Sequence, residues 1–312
     1  MFDLLHADTG CELQRGFMTD KQIFRQPTTL VLLALLGGNL ALAFGPWMVR
    51  SADVGPSASA FWRMALAAPF LFLIARGTGQ RLILPRTALY WTMALSGAFF
   101  ALDLAAWHVG LLQTKLANAT LFANAASLLF PVWGFFLART LPSRLEGFAF
   151  ALAVAGTLLL LGRSAELSSR TLIGDLLCLA AGVFYTAYLI AIMQAREELN
   201  NWVLLAWSTL ATAPPLLLIA VGLGEQIIPQ NWTPVILLAI ISQLIGQGLM
   251  VYVLGKVSPL LFGLALLTQP IVSALIGWLQ YNEALTPIDW IGAALIAGAI
   301  VMVRLAEAPA KA

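Results

Sequence analysis

The sequence predicts an all-α membrane protein: ten transmembrane helices forming two inverted five-helix repeats around a central cavity. Three observations carry that expectation: a composition too apolar for a water-facing surface, ten apolar runs of spanning length, and a likeness between the two halves. Of 312 residues, 60% are hydrophobic and only 10% charged, with a mean hydropathy of +0.87. A soluble domain carries roughly 25% charged and 45–50% apolar residues. So few charges cannot coat a surface of this size in water, which makes the lipid bilayer the first partner the chain requires. The net charge of +2 gives no reason to expect nucleic acid. Cys11 and Cys178 are the only cysteines, one in a polar tail and one in an apolar run. They indicate neither a disulfide framework nor a cysteine metal site, and no residue pattern calls for a metal or a cofactor.

Residues 1–27 are mixed polar and lack the apolar core of a signal peptide. They read as a mobile cytoplasmic tail, in which Met18, opening "MTDKQIFRQPTT", is a candidate start beside Met1. A spanning helix needs about 20 mainly apolar residues, and proline, glycine and charge clusters mark where each run stops. The first run, 29–49, stops at Arg50. The second, 57–75, opens after Gly55-Pro56 and closes at Arg76-Gly77. The third, 87–111, follows Pro85-Arg86, and the fourth, 116–138, lies between Lys115 and Arg139. The fifth, 145–162, follows "LPSR" and stops at Arg163. The sixth, 171–193, begins after Arg170, and the seventh, 202–222, closes before "GEQ". The eighth, 233–255, stops at Lys256, the ninth, 259–281, opens at Pro259, and the tenth, 287–304, runs from Pro287 to Arg304. Residues 306–312 form a short cytoplasmic tail.

Basic residues set the orientation, because short cytoplasmic loops retain them. With the N-terminus inside, the inner segments hold Arg15, Lys21, Arg25, Arg76, Arg81, Arg86, Arg139, Arg144, Arg196, Lys256, Arg304 and Lys311. The outer loops hold Arg50, Lys115, Arg163 and Arg170. Both termini are therefore expected in the cytoplasm, and the chain in a bacterial inner membrane.

The halves 28–163 and 171–305 resemble each other. "LANATLFANAASLLFPVWGFFLARTLPSRLEGFAFALAVAGTLLLLGR" and "KVSPLLFGLALLTQPIVSALIGWLQYNEALTPIDWIGAALIAGAIVMVR" each hold an apolar run with an internal proline, Pro131 or Pro270. Each continues through a polar break containing a proline into a small-residue-rich run. Pro69 in the second span has Pro214 and Pro215 in the seventh. Five is odd, so the second half enters the membrane from the opposite side. Inverted repeats with interrupted helices at matching places point to secondary transporters, although duplication of an inert scaffold would leave the same trace.

The chain resembles the EamA-domain type of the drug/metabolite transporter superfamily across 28–305. The likeness rests on "FWR" near the outer start of the second span and on "LANATLFANAASLLFPVWGFFLA". It rests above all on "LLTQPIVSALIGWLQYNEALTPIDWIGAALIAGAIVMV". The first half departs from that closing pattern: "LARTLPSRLEG" has no acidic residue where the second half has Glu283. The resemblance implies ten helices around a cavity and transport of small organic metabolites, commonly outward. It does not name the solute, because the superfamily spans amino acids, sugars, nucleotide sugars and drugs.

Polar residues inside the spans are the candidate site. Arg63 lies about 10 Å below the outer end of its span and Asp103 about 13 Å below the outer end of the next. Opposite charges at similar depth can meet as a structural ion pair or hold the charged groups of a zwitterionic solute; alternatively Arg63 reaches to the outer headgroups. The remaining candidates for solute binding are Trp107, His108, Asn124, Gln243, Gln247 and Gln269, with Asn118, Ser127, Ser242 and Thr268 nearby. Such residues also serve simply to bond helix to helix, at about 0.6 kcal/mol each. Taking Pro131 and Pro270 as equivalent shifts the halves by 139 residues, which sets Asp103 against Ser242 and His108 against Gln247. Pro69, Pro131, Pro214 and Pro270 are candidate gating hinges, since each removes a backbone donor; proline is also common in membrane helices generally. Trp62 and Trp107 are candidates for an aromatic cavity wall. The small residues of the fifth and tenth spans suit close packing, within one chain or in a homodimer.

The resulting expectation is an alternating-access carrier of a small polar solute such as an amino acid, moving it outward. With no GxxxxGK[ST] motif, energy would come from a solute, proton or sodium gradient. A membrane-embedded enzyme is the contrasting possibility, but HExxH and GxSxG are absent and Asp103 is the one carboxylate placed deep in a span. A passive channel is a third.

Overall fold

The computed structural model describes residues 27–79, 81–82, 86–114, 116–162, 171–196, 198–281 and 286–306, and every regular element among them is a helix. In chain order these are α1 (Thr29–Ala43), α2 (Gly45–Ser51), α3 (Pro56–Gly77), α4 (Thr87–Gln113), α5 (Leu116–Ala123), α6 (Ala125–Ala138) and α7 (Arg144–Gly162). The second half supplies α8 (Leu172–Ala195), α9 (Asn201–Gly222), α10 (Thr233–Val253), α11 (Pro259–Leu266), α12 (Thr268–Tyr281) and α13 (Pro287–Ala306).

Seven stretches among the described residues are long and apolar enough to cross a membrane: α1 with α2, α3, α4, α8, α9, α10, and Pro287–Leu305 within α13. The other three expected spans fall on α7 and on two helices that are each interrupted. The fourth expected span breaks at Asn124, where the side-chain amide donates back to Thr120 O at 2.6 Å and Ser127 Oγ donates to Asn124 O at 2.6 Å. Such local bonds compete with the helical ladder. The ninth breaks at Leu267. Pro270 favours a break there, because its ring would crowd the carbonyl of Leu266 in a continuous helix. Placed in the first turn of α12, Pro270 lacks only an N–H that would have no intrahelical partner.

Helix ends are tied by side chains. α7 opens with a capping box: Ser143 N donates to Glu146 Oε2 at 2.7 Å and Glu146 N to Ser143 Oγ at 3.3 Å. At the head of α13, Asp289 Oδ2 accepts from Thr286 N and Oγ1, both at 2.7 Å. α3 begins with Gly55 and Pro56, neither of which can cap, and its two free amides are met from far along the chain. Ser57 N and Ala58 N donate to Glu225 at 3.2 and 2.8 Å, and Gly55 N donates to Gln226 O at 3.0 Å.

α3 packs along α9 and α4 along both α8 and α9; α10 packs on α1 and α3, α6 on α11, α12 on α1, and α7 on α13. Small residues permit the close contacts. A Cβ on Gly156 of α7 would lie 2.7 Å from Gly292 O, so the small stripe of α7 is used against α13 within the chain. Arg304 Nη2 donates to Pro27 O at 3.2 Å, so the end of α13 sits beside the start of α1. Within α10, Leu238–Gln247 is wound as a π-helix, a winding that nothing in the sequence signals and that is common near functional sites.

Candidate functional site

The middle of the bundle encloses a cavity of about 110 Å³. Arg63 of α3, Asp103 and Trp107 of α4, Asn124 at the α5–α6 break, Gln247 of α10 and Gln269 of α12 all line it. Six of the eight residues expected to bind solute thus come together from five places in the sequence. The other two stand apart. Gln243 is fully buried behind Arg63, accepting from Arg63 Nε at 3.1 Å and donating from Nε2 to Thr209 Oγ1 at 2.8 Å. His108 points toward the start of α3, with Nδ1 3.0 Å from Ser59 Oγ and 2.9 Å from Pro56 O. A residue one position from Trp107 on the same helix turns about 100° away from it, which explains how Trp107 reaches the cavity while His108 does not.

Arg63 is 4% and Asp103 9% exposed, so Arg63 does not reach out to headgroups. The two are not in ion-pair contact either; the one salt bridge among the described residues is Arg86 with Glu198. Asp103 makes no hydrogen bond among the described residues. The Arg63 guanidinium carbon lies 5.8 Å from the Phe100 ring centroid, within cation–π range. Phe100 stacks on Tyr188 at 4.3 Å and Tyr188 on Tyr185 at 5.8 Å, giving the cavity an aromatic flank. Gln247 Nε2 donates to Tyr188 OH at 3.1 Å. Gln269 Nε2 donates to Asn39 Oδ1 at 2.9 Å, and Asn39 Nδ2 to Leu35 O at 2.8 Å.

Phe100, Tyr185, Tyr188, Thr209 and Asn39 are the site residues sequence reasoning missed. The tyrosines were within reach of it: "YTAY" sets two phenols three apart on an apolar helix, hence on one face. Trp62 belongs elsewhere, its Nε1 donating to Ile227 O at 2.7 Å and its ring edge-on to Trp232. Of the four prolines, Pro69 and Pro214 face outward, whereas Pro131 and Pro270 are buried. Asn118 and Glu283 lie outside the residues whose side chains are described.

A solved crystal structure matches this fold with a TM-score of 0.71 and 20% sequence identity, covering 88% of this chain and 98% of that one. That likeness is one of fold. No curated protein matches the chain. The model of the EamA-like transporter family matches residues 172–305, just under half of the chain. A run of apolar helices of spanning length in that region agrees with an integral membrane protein. Residues 172–305 are therefore an EamA-like transporter domain of the drug/metabolite transporter superfamily.

Proposed function

We propose that the protein is a secondary transporter that exports a small polar metabolite such as an amino acid by alternating access. In this reading ten crossings form two inverted five-helix halves with both termini in the cytoplasm of a bacterial cell. The observation that carries it is the central cavity, where a guanidinium and a carboxylate, both buried and not in contact with each other, face the same space.

Several features support the inverted arrangement. α5 with α6, and α11 with α12, each cover 23 residues including the break, about 34 Å and enough to cross. The contact of Arg304 with Pro27 needs an even number of crossings. Exchanging each span for the one five places on maps the principal helix pairings onto one another: α4 on α8 becomes α10 on α1, α4 on α9 becomes α10 on α3, and α3 on α9 maps to itself. Single contacts follow the same rule. A Cβ on Gly110 would lie 3.1 Å from Leu177 Cβ, and one on Gly38 lies 3.1 Å from Leu249 Cβ, each pair shifted by 139 residues. Past that point the shift is 143, from the helix starts at 116 and 259, the breaks at 124 and 267, and the caps at 143 and 286. Pro270 then corresponds to Ser127, not to Pro131, while the pairing of Asp103 with Ser242 stands.

The test is counterflow in liposomes loaded with each of the twenty L-amino acids. Saturable exchange that an empty vesicle lacks is expected for at least one of them. Linear, non-saturating flux would indicate a channel, and no exchange of any would remove the amino-acid reading.

A further inference from the structure

Arg63 presents five N–H donors in a rigid plane. One of them, Nε, is committed to Gln243 Oε1 at 3.1 Å. Gln243 has no freedom to turn over, because its Nε2 donates to Thr209 Oγ1 at 2.8 Å and a flipped amide would face the guanidinium with its own donors. All three residues are buried, Gln243 and Thr209 completely. The plane of Arg63 is thus pinned along one edge, with Phe100 5.8 Å from its carbon. Its two terminal nitrogens make no hydrogen bond among the described residues, and Arg63 lines the cavity. A pair of free guanidinium nitrogens matches the two oxygens of a carboxylate.

On the same cavity lies Asp103, without a hydrogen bond among the described residues and not paired with Arg63. An unmet buried ion is costly. A purely anionic solute would satisfy Arg63 and be repelled by Asp103; a cation would do the reverse. A neutral molecule would satisfy neither in full. A molecule bearing both a carboxylate and an ammonium group meets both.

Building on the transporter reading above, we propose that Gln243 and Thr209 are positioning residues. They hold the free edge of Arg63 toward the carboxylate of an α-amino-acid-like zwitterion, whose ammonium group goes to Asp103. Arg63 and its two positioning residues come from α3, α10 and α9, so the guanidinium is pinned in this orientation only while those helices keep their mutual register.

The test measures thermal stability of the full-length protein in detergent with each of the twenty L-amino acids and with the primary amide of each. Removing the carboxylate while keeping the ammonium group should weaken the apparent affinity by about tenfold or more. Thr209→Val, nearly isosteric but without the hydroxyl, should erase the preference for acid over amide without moving the ligand-free melting temperature by more than a few degrees. Thr209→Ser, which restores the hydroxyl, should recover the preference, a rescue that a merely structural role would not produce. Equal stabilisation by acid and amide, no stabilisation by any acid, or a preference that survives Thr209→Val would overturn the proposal. In liposomes, exchange of amides as fast as of acids would overturn the carboxylate subsite and leave the transporter reading intact. Absence of exchange for every amino acid and amide would remove the amino-acid reading and the subsite together.

Discussion

Replacing Glu225, a half-buried residue in the connection after α9, should cost more than replacing a solvent-facing carboxylate usually does. α3 starts at Pro56, which has no N–H, so Ser57 and Ala58 carry the first two free amides of the helix. Gly55 offers no side chain to cap them, and Glu225, in the connection just past the end of α9, does so with both carboxylate oxygens. Loss of a cap costs about 0.5–2 kcal/mol, and loss of a negative charge at a helix N-terminus adds about 0.3–1 kcal/mol. Glu225→Ala should therefore destabilise by about 1–3 kcal/mol and Glu225→Gln, which keeps one acceptor, by roughly half as much. The readout is the half-life of the folded protein in detergent at a fixed elevated temperature, since unfolding of such proteins is commonly irreversible. If the whole loss appears in the unfolding barrier, Glu225→Ala shortens that half-life by about 5- to 150-fold, at tenfold per 1.36 kcal/mol. A half-life within twofold of the parent would mean that water caps α3 as well as Glu225 does, and the reasoning would fail.

Three further outcomes are expected. Gly97→Ala should destabilise by about 1–3 kcal/mol, because its Cβ would lie 2.6 Å from the Ala211 backbone carbon; Gly147→Ala, with nothing within 4 Å, should stabilise by about 0.4–1 kcal/mol. Thermal melts of the two variants side by side check both signs. In a Cys11→Ser background, where the remaining Cys178 is buried, Gln230→Cys and Asn200→Cys should react with an impermeant maleimide from opposite faces of the membrane; reaction from one face alone contradicts the topology. Arg63→Ala and Asp103→Ala should each reduce counterflow by tenfold or more on the order expected for a buried charge partner, and the double variant should do no worse than the worse single one. Fully additive losses would mean the two charges serve separate steps.

What the sequence disclosed, and what it hid, divides along a physical line. Span length and apolarity are properties of a segment alone, so the seven spanning stretches among the described residues were legible within a few residues. Depth along a helix is equally local: counting 1.5 Å per residue put Arg63 and Asp103 at one level, and they do line one cavity. The break at Leu267 was also within reach, since a proline removes the bond to the residue four back and favours a kink or break there, although Pro69 and Pro214 are accommodated inside α3 and α9. The break at Asn124 was not, because it depends on a side chain choosing Thr120 O over solvent or a neighbouring helix. Azimuth was the weakest point. Polarity marks Gln243 and His108 as unusual in lipid, yet only packing decides that one stands behind Arg63 and the other turns toward Ser59. The π-wound stretch of α10 makes this worse, since it displaces the face of every residue after it from the α-helical count.

The division of labour across the cavity bears on how a transporter of this kind would work. In the two-half reading both ionic groups, Arg63 and Asp103, belong to the first half, and the cavity-lining amides Gln247 and Gln269 belong to the second. The positions equivalent to Asp103 and His108 are Ser242 and Gln247, which are polar but uncharged. If each half carried one charge, any rocking of one half against the other would pull the solute's two ends apart and expose a bare ion at every turnover. With both charges on one half, a bound zwitterion can stay attached to a single body while the amides of the other make and break neutral hydrogen bonds, which cost far less to exchange. Moving the acidic group across, with Asp103→Asn and Gln247→Glu together, two positions that both line the cavity, should therefore preserve the net charge of the cavity yet fail to restore counterflow. Recovery to near the parent rate would show that net charge alone matters and that the side on which each charge is mounted does not.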